Sequence, residues 1–278
     1  MTLFVLFYAT ILCNAEDFFL QMVKPLLVAF DFDHTVVEEN TDIVVRQLLK
    51  DKKALAEIKG MYTANGWTMY MEKIFEFLHG DAVTSGEIEA AVGTIPAVNA
   101  LPSLLERLHS SNAEIIIISD SNSLFINHWL KENKLDHTVK EVFTNPAWFE
   151  ESGLLKIEMY HLQDWCKLSS RNLCKGHILE SHVEKRSKEG VTFDRIAYVG
   201  DGTNDLCPVL RLSARDLAFP RVHYPLMKLL SKPDADAERT PKAEIVPWTD
   251  GTEIWRELSK RIPDLDKSNP KPFSPVFV

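Results

Sequence analysis

The chain has 278 residues, 45% of them hydrophobic, which suits one α/β core carrying an insertion or two small domains. Its formal charge of -9 and pI near 5.5, with no long Lys/Arg block, argue against nucleic acid or an anionic membrane as the main partner and favour a small molecule. Cys13, Cys166, Cys174 and Cys207 make no C-x-x-C pair, so neither a zinc knuckle nor a disulfide framework is signalled and free thiols are expected.

Residues 1–21 hold an apolar run from Leu3 to Cys13 followed by Ala15, which looks like a signal-peptide core and is too short to span a bilayer. No Lys or Arg precedes it, the chain has no N-x-S/T sequon, and cleavage after Ala15 would leave three cysteines. A dispensable extension on a cytoplasmic protein is therefore expected, with a secretory signal as the alternative. Residues 26–30, LLVAF, read as a fully buried parallel strand, so that Asp31 and Asp33 emerge at its carboxyl end, where open α/β sheets bind ligands.

Further along, Trp67, Tyr70, Met71, Ile74, Phe75 and Leu78 recur at spacings of three and four and predict a helix over 64–79. Thr84 and Glu87 predict a capping box. From Pro102 the pattern alternates helix (103–109), strand (113–119), helix (123–132) and strand (139–144), which predicts βαβ units and a parallel sheet. A small hairpin or loop is expected over 151–157, a helix over 175–188, and strands over 195–200 and 216–219. The four prolines from Pro263 onward predict a disordered tail, 263–278.

Four stretches at the ends of these elements supply parts of one phosphoryl-transfer site. Asp31 suits a nucleophile whose attack on phosphorus gives an aspartyl-phosphate, splitting one hard step into two. Asp33, two residues on, suits the acid that protonates the leaving alkoxide and then the base that activates water, with Thr35 holding it. Asp201 and Asp205 supply more carboxylate oxygen than a cleft tolerates without a cation, and hard oxygen ligands favour Mg²⁺. Ser119 and the N–H groups after it suit a phosphate oxygen, and Lys175 a positive point charge. Taken singly, each has a bland reading as a turn, cap or solvated side chain; the ordered set is what points to chemistry. The spacing of His161, Cys166 and Cys174 matches no standard metal site, and Cys207 is expected to pack in the helix after Asp205.

These residues resemble the four motifs of the haloacid dehalogenase superfamily: Asp31-Phe32-Asp33-His34-Thr35, Ser119, Lys175, and Gly200-Asp201-Gly202-Thr203-Asn204-Asp205. The stretches FDFDHTVVEENTD, IIISDSN, FTNPA, NLCK, YVGDGTNDLCP and AFPR look more closely like the group of phosphoethanolamine/phosphocholine and pyridoxal phosphate phosphatases. The resemblance implies a Rossmann-like core, residues 22–41 and 100–262, with a small helical cap over 42–99 inserted after the first strand. It also implies Mg²⁺ held by the side chains of Asp31 and Asp201 and the carbonyl of Asp33, with Asp205 behind them. Phosphoserine phosphatases look different at two substrate-gripping positions, where this chain has Asn40 and Lys73.

The expected activity is a Mg²⁺-dependent hydrolysis of a small phosphomonoester, phosphoethanolamine or phosphocholine first and pyridoxal 5'-phosphate as the alternative. Asp42, Asp120 and Asn204 are the candidate substrate-facing residues; the bland reading is that Asp42 caps a helix and Asp120 supports a turn. A phosphotransferase or mutase is a rival within enzymes. A non-catalytic binding or regulatory protein of the same fold is the rival outside them, and it would be marked by loss of a motif residue; none is lost.

Overall fold

The computed structural model describes residues 22–50, 66–231 and 240–265. The expected N-terminal extension, part of the inserted helical region and most of the expected tail lie outside the described residues.

Strand β1 (Met22–Phe30) lies between β2 (Glu114–Asn122) and β6 (Val191–Gly200). With β3 (Glu141–Asn145), β7 (Leu217–Pro220) and β8 (Glu244–Ile245) they form a six-stranded sheet in the order β3-β2-β1-β6-β7-β8, every pairing parallel. The centre is apolar on both faces: Leu26, Val28 and Phe30 enter one core cluster, while Leu27 and Ala29 enter the other, all fully buried. That division follows from the two-residue period of a strand. Each of the four larger side chains contributes about 1.5–3 kcal/mol on burial, which favours this strand at the centre of the sheet.

Helices cover both faces. On one side lie α4 (Leu101–Ser110), α5 (Ser123–Glu132) and α9 (Gly251–Arg261); on the other lie α6 (Lys175–Lys188), α7 (Leu206–Arg211) and α8 (Pro225–Leu230). Between β1 and β2 the chain inserts α1 (Thr41–Arg46), α2 (Trp67–Gly80) and α3 (Ser85–Gly93). The apolar face of α2 buries Tyr70, Met71, Ile74, Phe75 and Leu78 and packs against a small antiparallel hairpin, β4 (Ala147–Phe149) and β5 (Leu155–Ile157). The capping box at Thr84 and Glu87 is formed.

The register positions the site. Phe30 pairs with Ile117 on one side and Val199 on the other, so the three strands are level at the end of β1. Asp31, Ser119 and Asp201 follow within two residues of those partners.

Some boundaries differ from expectation. β1 and β6 each begin about four residues early because Met22 pairs with Val191. β2 continues past an irregularity to Asn122, which pairs with Asn145. Residues Pro263–Leu265, expected in the tail, form a short 3-10 turn that buries Leu265 completely.

Candidate active site

The nucleophile candidate is delivered by a tight turn. The Asp31 N–H donates to the Val199 carbonyl at 2.9 Å, which continues the ladder one residue beyond β1. The Phe32 carbonyl then accepts from the N–H groups of Thr35, Val36 and Val37, while Phe32, Val36 and Val37 anchor the turn in the core. His34 takes a left-handed conformation, φ 56°, at a cost of order 1–2 kcal/mol for a residue with a Cβ. Arg221 holds it there, donating to the His34 carbonyl at 2.6 Å and to Glu38 Oε2 at 2.7 Å while stacking over Tyr224 and Trp248.

Lys175, the first residue of α6, is wholly buried and bridges two acids: its Nζ is 2.5 Å from Asp31 Oδ2 and 2.7 Å from Asp205 Oδ1. Asp31 Oδ1 accepts from the Phe32 N–H at 2.6 Å. Asp205 is saturated, since Tyr198 also donates to Oδ1 and the N–H groups of Asp201 and Gly202 donate to Oδ2. It therefore folds the loop after β6 around itself. Gly200 makes this possible, because a Cβ there would lie 2.5 Å from Asp205 Oδ2.

The carboxylates of Asp31, Asp201 and Asp205 lie within 4.8 Å of one another. Burial raises Asp31 to about 7 against the pull of Lys175, and burial together with Asp31 and Asp205 raises Asp201 to about 8. Burial alone would lower Lys175, but Asp205 and Asp31 hold it above its ordinary value. Three acids face one ammonium, and only Asp31 and Asp201 have oxygen left to give. A hard divalent cation fits that donor set.

Asp33 points elsewhere. Its Oδ1 accepts from the Thr41 N–H at 3.0 Å and its Oδ2 from Thr41 Oγ1 at 3.3 Å, while Thr41 Oγ1 also meets Ser121 Oγ at 2.7 Å. Burial, then Asp42, pushes the Asp33 carboxyl up. Thr35, expected to hold Asp33, instead donates to Asp201 Oδ1 at 3.3 Å, because the turn at Phe32 carries its hydroxyl toward the loop after β6.

Around this centre Ser119 is buried and accepts from the Ser121 N–H at 3.3 Å. Asp120 accepts from Asn172 at 2.9 Å and from Asn204 at 2.7 Å, which fixes the side chain of Asn204. Asn145 ties the same corner by donating to the carbonyls of Asp120 and Ser121. Asp42 is not the helix cap: Asn40 caps α1, and Asp42 is buried in its first turn. Its Oδ2 accepts from Trp67 Nε1 at 2.5 Å, whereas its Oδ1 is buried with no hydrogen-bond partner among the described residues. Burial raises Asp42 to about 7, with Asp120 adding to the rise. Lys73 lies on the exposed side of α2, paired with Glu76.

The structure thus brings together Asp31, Lys175, Asp201 and Asp205, with Asp33 on the same turn and Ser119, Asp120 and Asn204 at adjoining strand ends. Sequence reasoning missed Thr41, Asn145, Asn172, Tyr198 and Arg221. All five fall in the stretches FDFDHTVVEENTD, FTNPA, NLCK, YVGDGTNDLCP and AFPR, but their types alone carried no role.

Comparison with known proteins agrees with this geometry. Residues 26–262 match the family model described as "Putative Phosphatase". The pyridoxal phosphate phosphatase PHOSPHO2 of Mus musculus is 38% identical over 236 residues, 84% of this chain and 97% of the relative. The phosphoethanolamine/phosphocholine phosphatase of Gallus gallus is 30% identical over 236 residues, 84% and 88% of the two chains. A substrate-bound phosphoserine phosphatase shares the fold, with a TM-score of 0.56 at 18% identity over 86% of this chain and 99% of its own. The chain belongs to this phosphatase family and is a phosphoric monoester hydrolase.

Proposed function

We propose that this phosphatase hydrolyses a small phosphomonoester with a cationic leaving group, phosphoethanolamine or phosphocholine, through an aspartyl-phosphate on Asp31. The observation that carries the reading is the division of labour on one turn: Asp31 is fixed by Lys175 and the Phe32 N–H beside Asp201, while Asp33 is held apart by Thr41. Asp31 attacks phosphorus, the phosphorus–alkoxide bond breaks, and Asp33, whose raised pKa keeps a proton available, protonates the leaving oxygen. Asp33 then takes a proton from water, which attacks phosphorus, releases inorganic phosphate and restores Asp31.

The side chains of Asp31 and Asp201 with the Asp33 carbonyl would hold Mg²⁺, which supplies the positive charge that lets a carboxylate approach an anionic phosphate. Lys175 adds to that charge, and Ser119 with the N–H groups after it receives a phosphate oxygen. Asp205 acts behind them. The reading assigns 22–41 and 100–262 to the catalytic core and 42–99 to the cap.

The substrate reading rests on Asp42, one of whose oxygens is buried with no hydrogen-bond partner among the described residues and whose carboxyl interacts with those of Asp33 and Asp120; an ammonium bound there would favour the ionised form of these acids. Pyridoxal 5'-phosphate is the second reading, favoured by the higher identity to PHOSPHO2. A cytoplasmic setting suits the free thiols of Cys166, Cys174 and Cys207. No helix among the described residues is long and apolar enough to cross a membrane.

The test is phosphate release from these three substrates and an uncharged aryl phosphate, with Mg²⁺ and with excess chelator. Mg²⁺-dependent release without an added acceptor, fastest for the two cationic esters, supports the proposal. Preference for pyridoxal 5'-phosphate promotes the second reading, and full activity in chelator contradicts the metal assignment.

A further inference from the structure

Three sulfurs from separate segments meet at positions close in the chain to the Lys175–Asp205 pair. Cys166 comes from the loop between β5 and α6, Cys174 flanks the start of α6, and Cys207 lies in α7. Cys207 Sγ is 3.5 Å from Cys166 Sγ and 3.8 Å from Cys174 Sγ, and all three lie within 4.8 Å of one another. A disulfide would need about 2.05 Å, and the three are free thiols. Tetrahedral zinc, with Zn–S near 2.3 Å, sets its sulfur ligands about 3.8 Å apart. Ser169 Oγ stands 3.5 Å from Cys166 Sγ and 3.3 Å from Cys174 Sγ, facing the fourth corner.

The loop that presents Cys166 is held by its own hydrogen bonds. The side chain of Gln163, almost fully buried, donates from Nε2 to the carbonyls of Cys166, Ser169 and Ser170 and accepts the Cys166 N–H at Oε1. His161 Nε2 accepts the Cys174 N–H at 2.9 Å, which fixes Cys174 and withdraws that nitrogen from ligation. Positive charge faces the sulfurs from two sides: the N-terminus of the 14-residue α6, and Arg211, whose side chain lies with that of Cys207 against Gly176. Gly176 permits the approach, since a Cβ there would lie 2.7 Å from Cys207 Sγ. Buried cysteines also pack as small apolar groups, but that role asks for neither a clamped loop nor a hydroxyl converging on the sulfurs.

We propose that Cys166, Cys174 and Cys207, with Ser169 at the fourth corner, form a structural site for a soft divalent cation, zinc first, separate from the carboxylate cleft. Thiolates select such a cation, whereas the acids of the cleft select a hard one. The site is independent of the substrate reading above. It would act as a staple: Cys174 immediately precedes Lys175 and Cys207 follows Asp205 by two residues, so one ion would join the starts of α6 and α7 behind the buried ion pair.

The test uses the full chain, purified reduced and without chelator. The expected result is about one equivalent of zinc per chain, and, after exchange to Co²⁺, an intense near-ultraviolet sulfur-to-cobalt charge-transfer band. Cys166 is only partly buried, so Cys166→Ser should fold, dim that band and weaken zinc binding about tenfold or more. Asp201→Ala should leave the band unchanged. No band on adding Co²⁺ to the reduced wild type would overturn the proposal, as would a band lost in Asp201→Ala but kept in Cys166→Ser.

Discussion

Lys175 Nζ lies 2.7 Å from Asp205 Oδ1 with both side chains closed to solvent, and the same ammonium reaches Asp31. Removing one partner of a buried pair strands the other, at a cost of about 3–5 kcal/mol. Lys175→Met should therefore lose that much stability in denaturant melts as well as its turnover, because Asp205 then organises its loop as an uncompensated charge. A variant as stable as the wild type would show that the pair does not hold the fold.

Thr41 holds both oxygens of the proposed acid, Asp33. Thr41→Val keeps the backbone bond to Asp33 Oδ1 and removes the hydroxyl bonds to Asp33 Oδ2 and Ser121. One such bond contributes about 1 kcal/mol, so kcat should fall roughly fivefold with KM little changed. Steady-state kinetics with phosphoethanolamine would check this; a loss confined to KM would place Thr41 in substrate binding instead.

Proton and metal binding are linked in the cleft. Asp31 at about 7 and Asp201 at about 8 stand above the ordinary carboxylate value of 3.8. Between about pH 4 and 8 the metal-free folded chain thus holds more protons than the unfolded one, so its stability falls as pH rises through that window. A cation needs the ionised acids and competes with those protons. Thermal melts should show a Mg²⁺-induced rise in Tm that is larger at about pH 8 than at about pH 6. A rise that shrinks with pH would contradict the assignment of Asp31 and Asp201 as ligands.

Asp42 should sort substrates by charge. Asn at this position still accepts from Trp67 Nε1 but removes the charge. A carboxylate about 4 Å from an ammonium is worth about 4 kcal/mol at an effective dielectric near 20, much of it offset by desolvation. Asp42→Asn should therefore lower kcat/KM for phosphoethanolamine and phosphocholine by about 1–3 kcal/mol, tenfold or more, and barely affect an aryl phosphate. Equal losses for all substrates would make Asp42 part of the catalytic scaffold.

Much of the core was legible because its signals are local. The run LLVAF before Asp31 and the isoleucines before Ser119 carry strand and burial in their own composition, and Lys175 and Asp201 follow turn chemistry that names their level in the sheet. What was not legible depends on long-range approach. Thr35 is two residues from Asp33, yet its partner Asp201 is 166 positions away. Asn172 reaches Asp120 across 52 positions. Cys207 joins Cys166 and Cys174 from 41 and 33 positions away, so no spacing rule groups them. Single polar residues have no periodicity, and only the packed fold tells which neighbour each meets.

The central claim is the covalent intermediate on Asp31, and Asp33→Asn offers the most direct measurement of it. With the acid and base removed but the nucleophile intact, an ester with a good leaving group should still phosphorylate the enzyme, whereas water is no longer activated to release phosphate. Acid quench after mixing with an aryl phosphate, followed by peptide mass spectrometry, should find phosphate on the peptide containing Asp31. The same treatment of Asp31→Asn should find none. Phosphate on another residue, or wild-type turnover by Asp31→Asn, would contradict the mechanism.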